Sequence, residues 1–160
     1  AAEKKYNIFF LWGMREPLTP LKTMEFLHNL GYKNIVDFIA VDKITSLKSC
    51  NMRAEIMNNK KHIIRKIPEY FHEICIESLP DSCQKIYEIG YLRKRIIDKF
   101  TITTREKNII FDGATQTNPK QIYEEFLQNP KTQTNSEKFI FELPNKESNI
   151  SQENNKKGKK

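Results

Sequence analysis

The stretch TPLKTMEFLHNLGYKNIVDFIAVDKITSLKSCNMRAEIMNNKKHIIRKI, residues 19–67, contains the clearest secondary-structure signals of this chain. Thr19 and the proline after it are typical of a helix start, and leucine and methionine side chains then recur along one helical face as far as Leu30. Gly31 is typical of a helix end, because glycine readily adopts the left-handed backbone that follows the last turn. The apolar run at residues 34–41 predicts a strand directly after that helix.

The same alternation continues on both sides of this first helix and strand. A second helix is expected to begin near Thr45 or Ser46, and residues 62–67 form a second apolar run that Pro68 ends. Ahead of the first helix, residues 6–12 are almost continuously apolar and predict a short buried strand. The order is therefore β-α-β-α-β. It predicts an α+β fold of ferredoxin-like type, in which two helices pack on one face of a three-stranded sheet.

The signals after Pro68 are weaker. They predict, in order, a helix from Asp81 or Ser82 to Lys99, a strand over 108–111, a helix over 118–127 and an edge strand over 138–143. Residues from 144 onward are almost devoid of apolar side chains and end in lysines, which is typical of a solvated tail. We therefore divide the chain into a core domain over 1–68, a mixed C-terminal extension over 69–143 and a basic tail over 144–160.

Composition restricts the class of protein. The 160 residues carry a formal net charge of +7, which favours a polyanionic partner because cations that neutralise phosphates release counterions. Cys50, Cys75 and Cys83 are an odd number of cysteines with no CxxC pair, so a reducing compartment is expected. The sequence contains no run of eighteen apolar residues, so no membrane span is predicted. The amino-terminal residues show no signal-peptide core, and any targeting peptide is expected to have been removed already.

Short motifs along residues 5–68 resemble a known family. A glycine and a basic residue follow the first strand, the first helix closes in a Leu-Gly-hydrophobic-basic pattern, the second helix carries hydrophobic-Arg…Ile, and the last strand opens with His-hydrophobic-hydrophobic-basic. These are Gly13-Met14-Arg15, Leu30-Gly31-Tyr32-Lys33, Met52-Arg53-Ala54-Glu55-Ile56 and His62-Ile63-Ile64-Arg65. Together they resemble the large-subunit ribosomal protein L-thirty family, and the long addition after residue 68 resembles its mitochondrial members.

The resemblance implies a function. It implies a structural constituent of the large subunit of a mitochondrial ribosome, located in the mitochondrial matrix, which binds ribosomal RNA and neighbouring mitochondrial ribosomal proteins. It implies no catalysis, no cofactor, no membrane and no small-molecule substrate. Cations at loop ends and exposed helix faces would reach RNA phosphates, and the RNA-binding candidates are Arg15, Lys22, Lys33, Asn34, Lys48, Arg53, Lys60, Lys61 and His62.

Two other interpretations stay open at the level of sequence. One is a protein–protein adaptor of ferredoxin-like fold in another assembly, with incidental positive charge. The other is an enzyme of that fold, although the chain contains no Gly-rich phosphate loop, GxSxG or HExxH motif. His72, Cys75 and Cys83 match no common zinc-finger spacing. The sequence therefore favours a binding protein over an enzyme.

Overall fold

A computed structural model describes residues 6–13, 15–59 and 67–129, with the backbone alone for 57–59. These residues form four α-helices and three strands. The helices are α1 (Leu18–Asn29), α2 (Lys43–Asn59), α3 (Glu69–Ile86) and α4 (Pro119–Gln128), and the strands are β1 (Ile35–Ala40), β2 (Lys99–Thr104) and β3 (Ile109–Asp112). At its end α3 continues directly into a π-helical segment, Tyr87–Arg93.

The three strands form one mixed sheet in the order β1-β2-β3. β1 and β2 run parallel, with Val36 opposite Phe100 and Phe38 opposite Ile102. β3 is antiparallel to β2, and the register shifts between Ile102 and Thr103. Since β1 and β2 are parallel, their carboxyl ends lie at the same edge of the sheet.

The hydrophobic core lies on one face of this sheet. Tyr87 is at its centre, with its ring centroid 5.3 Å from that of Phe100 and 5.5 Å from that of Phe111, both in edge-to-face contact. The rest of the core comes from all three strands, from α1, from the end of α3 and from α4. Its members include Leu21, Met24, Val36, Phe38, Cys83, Ile86, Ile97, Ile102, Tyr123 and Phe126.

Gly90, in the middle of the π-helical segment, has a steric role in this packing. A Cβ atom at this position would lie 2.5 Å from Cδ1 of Ile97 and 3.0 Å from Cδ2 of Leu21. The absence of a side chain therefore lets α1 and the residues before β2 approach the π-helical segment closely. A glycine within an otherwise helical pattern is explained here by packing.

Several predicted elements are confirmed. α1 ends as expected at Gly31, which has a φ of +84°, and β1, β3 and α4 lie within one residue of their predicted positions. α2 is confirmed with an earlier start, at Lys43. The predicted helix ending at Lys99 is wrong at both ends, because α3 begins at Glu69 and Lys99 is the first residue of β2.

Three predicted strands have other outcomes. Residues 6–12 are described, but they form no strand. Most of the predicted strand over 62–67, and all of the one over 138–143, lie outside the described residues, as does the basic tail.

The ferredoxin-like fold is a wrong prediction. That fold required the first 68 residues to form a sheet of their own, whereas the observed sheet joins β1 to β2 and β3 from beyond residue 68. The division of the chain into three domains stays a prediction. Sheet hydrogen bonds and core contacts nevertheless cross the proposed boundary at residue 68. The error arose because a run of alternating helices and strands does not specify which strands become neighbours.

Candidate functional site

The carboxyl-terminal edge of β1 and β2 is the candidate functional site. In open α/β sheets, ligands bind in the crevice outside the carboxyl ends of the strands. β1 leads there through Asp42 into α2, and β2 leads into the turn that begins with Arg105. Polar side chains of α2 and of the loops after β1 and β2 form hydrogen bonds near this edge.

Asp42 and Arg105 fix the start of α2 to the sheet. Asp42 is only 8% exposed, and its carboxylate accepts a hydrogen bond of 2.8 Å from the backbone N–H of Thr45, which caps the helix. Nη1 of Arg105 donates to Oγ of Ser49 across 3.0 Å. Because a guanidinium has five N–H donors, this bond leaves Arg105 with further donors for an anionic ligand.

α3 is attached to the same part of α2. Nε2 of His72 lies 2.9 Å from Oγ of Ser46, and Lys43 forms an ion pair with Glu73. The hydrogen bond that Lys43 donates to Glu73 raises the pKa of Lys43, so this ammonium group stays charged. His72 is buried, and its Nδ1 has no hydrogen-bond partner among the described residues.

The loop before α1 lies on another side of α3. The guanidinium carbon of Arg15 lies 5.2 Å from the ring centroid of Phe71, a cation–π contact, and the backbone carbonyl of Arg15 accepts a hydrogen bond of 3.4 Å from Oγ of Ser82. Glu16 caps α1, because its carboxylate accepts hydrogen bonds from the hydroxyl and backbone N–H of Thr19 and from the backbone N–H of Leu18. These hydrogen bonds, chiefly those from Thr19, lower the pKa of Glu16. Arg15, Lys43 and Arg105 are thus the cations that contact α2 and α3 through Phe71, Glu73 and Ser49, and the carboxylates of Asp42 and Glu73 lie among the same contacts.

The zeta toxin family model matches residues 1–118, which is most of the chain and includes all of these residues. The chain belongs to the zeta toxin family. A solved chain from the PezAT chromosomal toxin–antitoxin system of Streptococcus pneumoniae has a similar fold, with a TM-score of 0.63 and 19% identity. The similarity covers 80% of this chain and 48% of the pneumococcal chain, so the 160 residues span about half the length of that relative. No curated protein sequence matches this chain.

Membership of the zeta toxin family overturns the ribosomal interpretation. The resemblance to the L-thirty family is wrong, and so are the ribosomal function, the ribosomal RNA and ribosomal protein partners, and the mitochondrial location. The adaptor alternative is not supported either. Zeta toxins are kinase-like enzymes that phosphorylate UDP-N-acetylglucosamine, so membership of this family also contradicts the prediction of a non-enzyme without a small-molecule substrate.

The sequence of this chain contains no P-loop motif for binding nucleotide phosphates. The 160-residue sequence contains no GxxxxGK[ST] motif, whose backbone N–H groups and lysine hold nucleotide phosphates in P-loop enzymes. Within the described parts of the chain, no three His, Cys, Asp or Glu side chains lie together in a group that could hold a metal ion. We therefore assign neither the triphosphate nor its magnesium ion to these residues.

The predicted RNA-binding residues are dispersed over this zeta-toxin fold. Arg15 lies over the Phe71 ring of α3, and Lys22, Lys48 and Arg53 are exposed on α1 and α2. Lys33 and Asn34 precede β1, at the opposite edge of the sheet. Lys60, Lys61 and His62 lie outside the described residues. No observation tests RNA contact by these side chains, so it stays a prediction, without the ribosomal context that motivated it.

Sequence reasoning missed most of the site. Ser46, Ser49, His72 and Arg105 lie in no local motif, and their contacts join residues that are 26 and 56 positions apart. β2 was also missed, although Lys99–Thr104 contains three threonines, one phenylalanine and one isoleucine, which favour strands. Recognition of β2 would have placed Arg105 at a strand end, where site residues are expected. Among the described helices, none is long and apolar enough to cross a membrane.

Proposed function

We propose that these residues form the acceptor side of a zeta-toxin kinase, which binds a UDP-sugar such as UDP-N-acetylglucosamine and acts within a toxin–antitoxin pair. The family match over residues 1–118 carries this proposal, and the cations Lys43 and Arg105, which follow the carboxyl ends of β1 and β2, support it. The acceptor contains a diphosphate with two negative charges. A cationic site at the edge of a parallel strand pair is suited to such a group.

Arg105 and Arg15 are the residues that we expect to contact the diphosphate. Arg105 is held by Ser49 at the carboxyl end of β2, so its remaining N–H groups are oriented before a ligand arrives. Arg15 is exposed and its guanidinium lies over the Phe71 ring, which restricts its motion without consuming its hydrogen-bond donors. Lys43 adds positive charge at the start of α2, although Glu73 partly neutralises it.

The test is direct titration of UDP-N-acetylglucosamine into the 160-residue chain, followed by NMR or calorimetry. We expect saturable binding that Arg105→Ala weakens about tenfold, since a lost charge-assisted bond of ~1.4 kcal/mol corresponds to that factor. Lys99→Ala is the matched control, because Lys99 is an exposed cation at the other end of the same strand. This control should bind as tightly as the wild type.

Two outcomes would contradict the proposal. One is a folded chain, verified by circular dichroism, that shows no saturable binding of the sugar nucleotide. The other is an equal loss of affinity in Arg105→Ala and Lys99→Ala, which would indicate non-specific attraction to a basic protein.

A further inference from the structure

α3 carries an apolar stripe on the side that faces away from the core. Tyr70, Phe71 and Ile74 lie in its first two turns, and Ile67 comes just before the helix. These four residues, here called the α3 stripe, have the i, i+3, i+4, i+7 spacing of a single helical face, and they are 44% to 67% exposed except for Phe71, at 39%. Tyr70 and Ile74 are each two positions from the buried His72, which places them about 200° away around the helix.

The start of α3 is therefore apolar on one side and packed on the other. On the packed side, Nε2 of His72 lies 2.9 Å from Oγ of Ser46 in α2. A surface helix normally has one covered face and one polar face, and a helix that is apolar on opposite sides is normally covered on both. An exposed apolar surface with a polar rim is typical of an interaction site. We therefore expect a second apolar layer on the α3 stripe.

An acidic row borders the α3 stripe. Glu69, Glu73 and Glu77 are spaced four positions apart, so they lie above one another along the helix. Lys43 of α2 forms an ion pair with Glu73, and all three carboxylates, Glu73 first, raise the pKa of Lys43. One ammonium group neutralises only one of the three carboxylates. The row therefore favours an apolar occupant that also carries positive charge.

Residues 138–143, Lys-Phe-Ile-Phe-Glu-Leu, have this combination of properties. Four of these six side chains are apolar, and Lys138 precedes them. In the remaining sequence, residues 144–160, Ile150 is the only aliphatic or aromatic side chain, and Lys146 adds positive charge next to the segment. Residues 138–143 are thus the last apolar cluster of the chain, and their burial is favourable.

We propose that residues 138–143 dock on the α3 stripe, with their apolar side chains against Tyr70, Phe71 and Ile74 and with Lys138 beside the acidic row. Docking removes apolar surface of both the segment and the helix from water, and it brings opposite charges together at the border. Because the segment belongs to the same chain, its effective concentration at the stripe is high. The proposal is independent of the proposed kinase function.

The connection after α4 is long enough for this docking. Nζ of Lys120, at the start of α4, lies 2.7 Å from Oδ1 of Asp81 in α3. From this contact, Asn129 is about 14 Å away along α4 and Ile74 is about 10 Å away along α3. The twelve residues from Asn129 to Phe141 span up to about 40 Å when extended. This length covers both distances and the path around the helix.

Photo-cross-linking of the purified 160-residue chain tests the proposal. p-Benzoylphenylalanine replaces Tyr70 on the α3 stripe or, in the matched control, Ile109, which is exposed on β3. Labelled (¹⁵N) and unlabelled chains are mixed before irradiation, so that mass spectrometry distinguishes cross-links within one chain from those between two chains. We expect a cross-link within one chain from position 70 to residues 138–143, and no cross-link to that segment from position 109.

Changes within the segment provide a second measurement that leaves α3 intact. The double change Phe139→Ser with Phe141→Ser should abolish the cross-link from position 70, because the apolar side chains that hold the segment on the stripe are removed. Ile150→Ser is the control, since Ile150 is apolar but lies outside the segment, and it should leave the yield unchanged. Circular dichroism verifies that each variant keeps the helices of the wild type.

Four results would overturn the proposal. Cross-links between labelled and unlabelled chains would show that a second copy occupies the stripe. A cross-link from position 70 to another segment of the same chain would show a different occupant, and no cross-link at all would show that the stripe stays uncovered. An unchanged yield in the double serine variant would show that the apolar side chains of residues 138–143 do not hold the segment in place.

Discussion

At the scale of single residues, Asn34 shows how a polar side chain can serve the fold at a position expected to serve binding. Its Nδ2 donates to the backbone carbonyls of Met24 and Ile96 over 2.8 Å and 2.7 Å, and its backbone N–H donates to Asp98. The side chain is only 8% exposed. It joins the end of α1, the start of β1 and the residues before β2.

We expect Asn34→Ala to lower the free energy of unfolding by about 2–4 kcal/mol, because it removes two buried hydrogen bonds, to the carbonyls of Met24 and Ile96. Urea denaturation followed by circular dichroism measures this change. Asn29→Ala is the control, since Asn29 is exposed at the end of α1 and its replacement should change stability by less than ~0.5 kcal/mol. Similar losses in both variants would show that the Asn34 amide is not a structural link.

At the scale of elements, an ion pair joins α4 to α3. Nζ of Lys120 lies 2.7 Å from Oδ1 of Asp81, and the hydrogen bond from Lys120 lowers the pKa of Asp81 below its ordinary value of 3.8. A lowered carboxyl pKa stabilises the folded state above the unfolded-state pKa, and this contribution disappears as the pH falls through the folded-state pKa. The contribution is small, because both side chains are largely exposed.

The expected result is that Asp81→Asn is slightly less stable than the wild type near neutral pH, and that this difference disappears as the pH falls through the folded-state pKa of Asp81. Thermal unfolding across this pH range measures the difference between the two proteins. Glu55→Gln, an exposed change on α2, controls for the general loss of negative charge. If the difference between Asp81→Asn and the wild type persists at low pH, the ion pair is not its cause.

At the scale of the whole molecule, the 160-residue sequence contains the proposed acceptor residues Arg15 and Arg105 but no GxxxxGK[ST] loop. We therefore expect the 160-residue chain alone to transfer no phosphate from ATP to UDP-N-acetylglucosamine, even where it binds the sugar nucleotide. Thin-layer chromatography with radiolabelled ATP measures this, with an active zeta toxin as the positive control. Turnover by the chain alone would show that another group within these residues holds the triphosphate.

The sequence itself determined the local elements. Asn118 caps α4, with its side chain accepting from the N–H of Gln121, and Gly31 ends α1 with a left-handed backbone. The apolar run at residues 34–41 also predicted β1, which spans Ile35–Ala40. Each of these features depends on neighbours within a few positions, so it can be recognised from a single sequence.

Only the tertiary structure decided which elements meet. Asp37 of β1 bonds to Thr101 of β2, 64 positions later, and the contacts His72–Ser46 and Arg105–Ser49 also join distant parts of the chain. Strand neighbours are chosen by the burial of apolar surface across the whole fold, which local propensity does not encode. For this reason the same helices and strands were compatible with a ribosomal protein and with a kinase, and only the parallel pairing of β1 with β2 created the site.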